Sequence, residues 1–296
     1  MGKPVLDFSE YEIEQMLANL DSFSSDEVAE IDRMADELTT RKANKAAYDD
    51  LIEFCKLMMP DFIVGKHHRI LADMLMAIER GEKDRVCVNI PPRHGKSQLV
   101  SIFYPAWFLG RNPNKKVMMV SHTTDLAVDF GRKVRNLIAT NMYKSVFPTV
   151  SLAQDSKSAG RWNTHVGGEY YACGIGSALA GRGADLLLVD DPHSEQDVIN
   201  GNFQVFEKAY EWFTFGARTR LMPGGRVAII QTRWHMDDLT GRLVRDMSQN
   251  DKSDQYEVVE FPAILDVLNP KTNKHVQKPL WPEFFDLEAL LRTKAS

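Results

Sequence analysis

An apolar, β-branched run, RVCVNI (85–90), leads into the tight loop PPRHGKS (91–97), and an amphipathic stretch, Gln98 to Leu109, follows at once. A strand that turns straight back as a helix commits a chain to packed α/β layers. The Gly95-Lys96-Ser97 at the loop's end gives the turn a chemistry. Backbone N–H groups of such a loop and the N-terminus of the next helix offer a concave anion site. There Lys96 reaches β- and γ-phosphates and the Ser97 hydroxyl suits Mg2+. The common pattern GxxxxGK[ST] asks for glycine where this chain has Ile90, and Pro91 and Pro92 stand where amides would otherwise donate. Proline has no N–H. The loop, with Pro92, Arg93, His94, Gly95, Lys96 and Ser97 as its nucleotide-binding residues, must cradle phosphate in its own way.

At 296 residues the length suits one large α/β domain or two smaller ones, and 44% hydrophobic and 26% charged residues are the shares of an ordinary soluble globular protein. Cys55, Cys87 and Cys173 lie far apart without a CxxC pair, which argues against a disulfide framework or a zinc ribbon and fits a reducing compartment. No apolar run is long enough for a bilayer, and the acidic start MGKPVLDFSEYEIEQ is unlike a secretory leader. The expectation is an intracellular protein with no membrane partner. The net charge of −5 is uneven: residues 1–40 hold eleven acids against Lys3 and Arg33, and the remainder is net +4. A mildly basic body tolerates a polyanion without requiring one.

Residues 9–38 predict two acidic helices, the second opened by a Ser24/Glu27 capping box. A third helix is expected over Lys45 to Met58, and a fourth is expected to close at Gly81. KKVMMVSH predicts a strand, and TTDLAVDFGRKVRNLIAT a helix capped by Thr123 or Thr124. RWNTHV-GG-EYYACG predicts a hairpin turning at Gly167-Gly168. The glycine-flanked AGRG (180–183) leads into a fully apolar strand, LLLVDD, ending in Asp190 and Asp191. A helix over Glu195 to Phe215, a buried strand RVAIIQT, a helix starting near Asp237 or Asp238, one more strand, an irregular stretch and a terminal helix complete the chain. Strands without polar breaks that alternate with helices predict a mainly parallel sheet covered on both faces. Lys96, Asp190 and Thr232 each follow a strand, so they are expected at one edge.

Hydrolysis of a Mg-nucleotide needs a carboxylate at a strand end for the metal and another to orient water. Asp190 fits the first role together with Ser97. Asp191 fits the second, although its arm is shorter than glutamate's, and Glu195 is its substitute. Read without the loop, Asp-Asp-Pro is also an ordinary turn opener. Arg93 supplies positive charge within the loop, and the flexible setting of Arg182 suits reaching a neighbouring subunit, although a solvated loop arginine is the bland alternative. Thr232 or Gln231 is placed to sense the γ-phosphate or its water. His193, His235, Asp237 and Asp238 resemble metal ligands, but acidic capping of a helix explains the carboxylates more simply. Lys115, Lys116, Arg132, Lys133 and Arg135 are candidates for phosphate-backbone contacts of a nucleic acid, but without interleaved aromatics such residues are more often a solvated face, and they are not assigned.

With these residues in view the chain resembles the ATPase part of a tailed-phage terminase large subunit, over most of residues 50–290. PPRHGKS, GSALAGRGADLLLVDDP, QTRWHMDDLTGRL and LWPEFFDLEAL carry the resemblance by their order and spacing. It implies a P-loop NTPase of the ASCE type with an N-terminal helical arm (1–44), an ATPase core (45–247) and a small lid or linker region (248–296). A C-terminal nuclease domain absent from this chain is expected to follow. It implies ATP and Mg2+, with Lys96 and Ser97 on phosphate and metal and Asp190 as the Walker B aspartate. Asp191 takes the catalytic carboxylate position, where many members carry Glu. Arg93 matches the arginine of the family's loop, Arg182 the arginine that acts in trans, and Gln231-Thr232-Arg233 a coupling motif. Phe62, His67 and His68 are candidates for an adenine-side motif. Implied partners are double-stranded DNA, a portal protein, a terminase small subunit and further copies in a ring, in the host cell cytoplasm. The alternatives are a superfamily-2-like helicase or other P-loop nucleic-acid ATPase, and a non-hydrolysing nucleotide-dependent scaffold.

Overall fold

The computed structural model describes residues 8–156 and 158–295. Its centre is a seven-stranded sheet built from β1 (Arg85–Asn89), β2 (Lys116–Ser121), β3 (Arg161–Asn163), β4 (Glu169–Gly174), β5 (Ala184–Asp190), β6 (Leu221–Gln231) and β7 (Glu257–Glu260). The spatial order is β3-β4-β2-β5-β6-β1-β7, and only β3 runs antiparallel to its neighbour. The strand of the phosphate loop, β1, is thus separated from the carboxylate strand, β5, by β6 alone. This is the mainly parallel, helix-covered α/β fold expected from the sequence, including the hairpin that turns at Gly167-Gly168.

Side-chain alternation along these strands feeds two cores, one per face. Val86, Val88, Leu186, Leu188, Ala228 and Ile230 enter the larger core; Cys87, Leu187, Val189, Val227 and Ile229 enter the smaller. Because both faces are buried, neither position can be polar, and the strands read as unbroken apolar runs. All three cysteines are buried and unbonded.

The helices are α1 (Glu10–Leu17), α2 (Ser25–Asp49), α3 (Leu51–Met58), α4 (Lys66–Arg80), α5 (Tyr104–Arg111), α6 (Thr124–Ala139), α7 (Asn141–Val146), α8 (Glu195–Ile199), α9 (Gln204–Glu211), α10 (Leu239–Gln249) and α11 (Leu287–Ala295). Among the described residues none is long and apolar enough to cross a membrane. Thr123 caps α6 by accepting from the Leu126 N–H, and Ser24 and Glu27 form the expected capping box on α2.

Four expectations need correction. The helix expected over Lys45 to Met58 is broken: α2 ends at Asp49, and the Asp50 carboxylate caps α3 by accepting from the Ile52 and Glu53 N–H groups at 2.8 and 3.0 Å. The helix expected over Glu195 to Phe215 is interrupted at Gly201, whose φ of 63° no continuing helix tolerates, and widened π-type turns (Trp212–Ala217) follow α9. The stretch after the loop is not uniformly α-helical either: Gln98–Phe103 forms π-type turns before α5. Pro105 explains this, since its ring would collide with the carbonyl one turn earlier in a regular helix. The segment expected to be irregular after β7 contains an antiparallel hairpin, β8 (Ile264–Asn269) with β9 (Lys274–Pro279).

Candidate active site

The carboxyl ends of the parallel strands lie side by side: Asn89 is opposite Gln231, and Asp190 is opposite both Ile230 and Ser121. What leaves these strands therefore meets at one edge, as expected. Lys96 Nζ lies 2.7 Å from Asp191 Oδ2. The Thr232 N–H donates to Asp191 Oδ1 at 2.7 Å, and the Thr232 hydroxyl donates to the Ile90 carbonyl at 3.3 Å. One carboxylate thus joins the loop lysine to the segment after β6. Asp191 makes this bridge from the left-handed region, φ 44°. Such a conformation in a non-glycine residue costs of order 1–3 kcal/mol and persists where neighbours over-determine it. Here the Asp191 N–H on Ile230, its carbonyl on the His122 N–H and its carboxylate all hold it.

Asp190 follows Leu186 and Leu188 in the alternation, so its side chain points to the face covered by the helix after the loop. It is 1% exposed, and its Oδ2 accepts from the Ser101 hydroxyl at 2.5 Å. Burial, reinforced by the Asp191 charge, pushes its pKa up to about 6; Lys96, Ser101 and Ser97 pull the other way. Its Oδ1 is buried and makes no hydrogen bond. A buried carboxylate oxygen left unpaired beside a serine hydroxyl is a hard-oxygen donor set suited to Mg2+, which keeps several of its own waters. Ser97 and Asp190 therefore fit the metal that the loop chemistry implies. Ser101, which anchors Asp190, escaped the sequence reading. The available signal was its position four residues after Ser97, the spacing that places two side chains on one helix face.

The loop itself bends through two left-handed residues, Arg93 (φ 59°) and Gly95 (φ 75°). His94 is buried between them, its Nδ1–H donating to the Pro92 carbonyl at 2.8 Å. Phe62, His67 and His68 do not form an open base pocket. His67 and His68 are 1% and 0% exposed, and both Nε2 atoms reach the His94 carbonyl, at 3.0 and 2.9 Å. Phe62 packs on the His68 ring, 5.1 Å between centroids, and Trp281 meets His68 edge-on at 4.8 Å. The reading of the two histidines as adenine contacts is corrected accordingly: they are struts behind the loop. Arg93 is exposed and, with Pro92, His94, Ile264, Phe285 and Leu290, lines a cavity of about 730 Å³ between the loop and the C-terminal segment.

Gln231 ends β6 buried, with neither amide atom hydrogen-bonded. Arg182 stands elsewhere. It lies at the opposite end of β5, its guanidinium over the Tyr171 ring and 3.4 Å from Glu169. A seven-residue strand separates it from Asp190 by about 20 Å, so the structure does not bring it to the other site residues of its own chain. Glu195 opens α8 at an exposed position.

The four residues that resemble metal ligands in the sequence, His193, His235, Asp237 and Asp238, have structural partners. Asp238 caps α10 through the Gly241 N–H at 2.9 Å and binds Arg233 at 2.7 Å. Asp237 pairs with Arg245, and His235 stacks flat on Phe206. His193 accepts from the Leu239 N–H at 3.1 Å, and burial lowers its pKa to about 4. Among the described residues no group of three or more His, Cys, Asp or Glu side chains is arranged to hold a metal.

Comparison with known proteins gives these features a family. The family described as the terminase large subunit, T4likevirus-type, N-terminal, matches residues 87–292. Among solved structures, the chain is similar to the large terminase of bacteriophage HK97 at 14% identity and a TM-score of 0.44, with 72% of this chain and 43% of that one covered. It is also similar to the large terminase of a thermophilic bacteriophage, solved with ADP, at 12% identity and a TM-score of 0.36 over 63% of this chain and 44% of that one. The same thermophilic phage protein solved with ATP-gamma-S gives 12% identity and a TM-score of 0.30, covering 59% and 48%. The chain thus spans less than half the length of these solved proteins. No match was found among curated protein sequences.

Proposed function

The chain belongs to the terminase large subunit family, T4likevirus-type N-terminal, and on that premise we propose that it is the ATP-hydrolysing motor that drives double-stranded DNA into a procapsid. The observation that carries this reading is the meeting of Lys96, Asp191 and Thr232 at one sheet edge, beside a buried Asp190 with an unpaired oxygen. The ADP and ATP-gamma-S held by the thermophilic phage terminase are nucleotides of the kind this site suits.

Phosphates lie against the N–H groups of residues 93–97, and Lys96 turns from Asp191 to the β- and γ-phosphates. Ser97 and Asp190 hold Mg2+, which when bound offsets the charge on the phosphate oxygens. Asp191, released by Lys96 but still held by the Thr232 N–H, orients the attacking water. Because Asp191 accepts from the backbone of Thr232, a change at the water position pulls directly on Gln231-Thr232-Arg233, the segment that passes hydrolysis on to DNA movement. Arg93 adds charge at the loop. Arg182, remote from its own site, serves a neighbouring subunit in a ring docked on a portal, with a small subunit delivering DNA in the host cytoplasm. Residues 1–44 act as an arm and 248–296 as a lid or linker region.

Steady-state ATPase measurements on Lys96→Ala and Asp191→Ala test the assignment, with at least about a hundredfold loss of kcat expected in each. Wild-type rates in both would end it. Mixing inactive Arg182→Ala with inactive Asp191→Ala should restore part of the activity, because intact pairings re-form across interfaces; no recovery would remove the trans role of Arg182.

A further inference from the structure

We propose that His67 and His68 are positioning residues of the phosphate loop, which together pin the 94–95 peptide so that the Gly95 N–H is presented to phosphate. A trans peptide is planar, and its C=O and N–H point in opposite directions. Fixing the His94 carbonyl on the α4 side therefore fixes the Gly95 N–H on the other side, toward the hollow of the loop. Two donors converge on that one oxygen, His67 Nε2 at 3.0 Å and His68 Nε2 at 2.9 Å, which matches its two lone pairs. A carbonyl oxygen only accepts, so both rings carry their proton on Nε2.

The second nitrogen of His68 agrees with this tautomer, since its Nδ1 accepts from the Gly65 N–H at 3.0 Å. The chain thus runs from the start of α4 through a neutral imidazole to the loop. Burial keeps both rings neutral, and the pKa of His68 falls to about 3. Protonation would place an N–H against the Gly65 N–H. The fit is also steric: a Cβ on Gly95 would lie 2.3 Å from His68 Nε2, so the ring fills the space the missing side chain leaves. Trp281 closes the other side of both rings, at 5.4 and 4.8 Å between centroids.

This loop needs such a device more than a glycine-rich one does. Pro91 and Pro92 provide no N–H, and Ile90 stands where a glycine would let the backbone adapt. The few remaining donors must be held in place by something outside the loop.

The proposal rests on reading the loop as an ATP site, and its test separates the two. His67→Phe, His68→Phe and His68→Gln are compared with wild type by hydrogen exchange of amides 93–97 in nucleotide-free protein and by ATPase kinetics. Each Phe variant should speed exchange of those amides at least tenfold with exchange in β1, β5 and β6 unchanged, and raise KM for ATP at least tenfold with kcat within threefold. Glutamine carries both a donor and an acceptor, so His68→Gln should restore most of both. Unchanged loop exchange, or a Gln variant as impaired as the Phe variant, overturns the proposal. Faster loop exchange in a protein that never hydrolyses ATP leaves the clamp standing and sinks the ATPase reading instead. Should the Phe variants not fold, imidazole 15N shifts of the wild type decide: neutral Nε2–H rings at pH 7 are expected, and an Nδ1–H or charged His68 overturns the assignment.

Discussion

Asp191 carries more than its place at a strand end suggests. Its carboxylate is shared between Lys96 and the Thr232 N–H, so under the proposed function it would compete with phosphate for the lysine. Asp191→Asn keeps the size and removes the charge. Lys96 then loses its competing partner, and ATP is expected to bind at least as tightly as in wild type while kcat falls on the order of a hundredfold or more. Equilibrium titration with a fluorescent ATP analogue beside a turnover assay checks both halves; turnover within threefold of wild type would defeat the role given to Asp191. Gly95 sets a second expectation. At φ 75°, with His68 Nε2 in the way, alanine there is strained twice over, and Gly95→Ala should lower stability by about 1–2 kcal/mol. A urea midpoint equal to wild type would contradict that. The meeting of Lys96, Asp191 and Thr232 at one edge beside Asp190 was legible in the sequence, because each follows directly on a strand or its loop and parallel strands deliver their ends to one edge. The contacts of Ser101, and those of His67 and His68, which the sequence offers as adenine-side candidates, were not. They act through distances between elements, and nothing local in HHRIL announces that two rings will share the carbonyl of a residue 26 or 27 positions away.

At the level of elements, what was legible tracked burial. The central strands are apolar throughout because both faces are covered, and their order of appearance implied the layers. The β8–β9 hairpin was missed because its residues, KTNKHVQKP among them, are mostly exposed and show no apolar alternation. The break between α2 and α3 was missed because Asp50 ends one helix by capping the next, with neither Gly nor Pro to mark it. The same helix pair yields a prediction about the arm. Ile13, Ile31 and Met34 form a small core of their own, while among the described residues the end of α2 joins the body through Ala47, whose carbonyl accepts from the Trp107 N–H at 3.0 Å, through Asn44 on Ser145 and through Tyr48 on Phe147 and Arg111. Deleting residues 1–40 should therefore leave the melting temperature within a few degrees and ATP turnover within about twofold, because the lost contacts are the arm's own. Deletion through residue 50 also removes the α3 cap and the Trp107 acceptor, and should cost several kcal/mol. Calorimetry of the two truncations checks this, and an unfolded 1–40 deletion would show that the arm is part of the body.

For the whole molecule, buried histidines on both faces of the sheet set the response to acid. His68 lies behind the loop with a pKa near 3, and His193 lies beside α10 with one near 4, against about 6.5 in the unfolded chain. Between pH 6.5 and 4 the unfolded chain holds protons on these rings that the folded protein does not. Their stabilisation is therefore complete above pH 6.5 and is lost as pH falls toward the folded values. Each ring contributes a slope of up to about 1.4 kcal/mol per pH unit, and the lowered pKa values of His67 and His94 add in the same direction. Asp190 opposes them: its pKa is raised to about 6, so its contribution is present below 3.8 and is lost as pH rises through 6, which offsets about one proton of the slope over that window. Because the wild-type curve mixes these signs, a single substitution isolates one histidine. His193→Gln retains an acceptor for the Leu239 N–H but does not titrate. It should cost some stability at pH 7.5, from the lost edge-to-face packing on Phe206. As pH falls from 6.5 to 5, the wild type should lose about 1.5 kcal/mol relative to the variant, and the gap should narrow or reverse. Urea unfolding of both proteins at pH 7.5, 6.5, 5.5 and 5 measures that difference, and a gap independent of pH would mean that His193 is not held neutral in the fold.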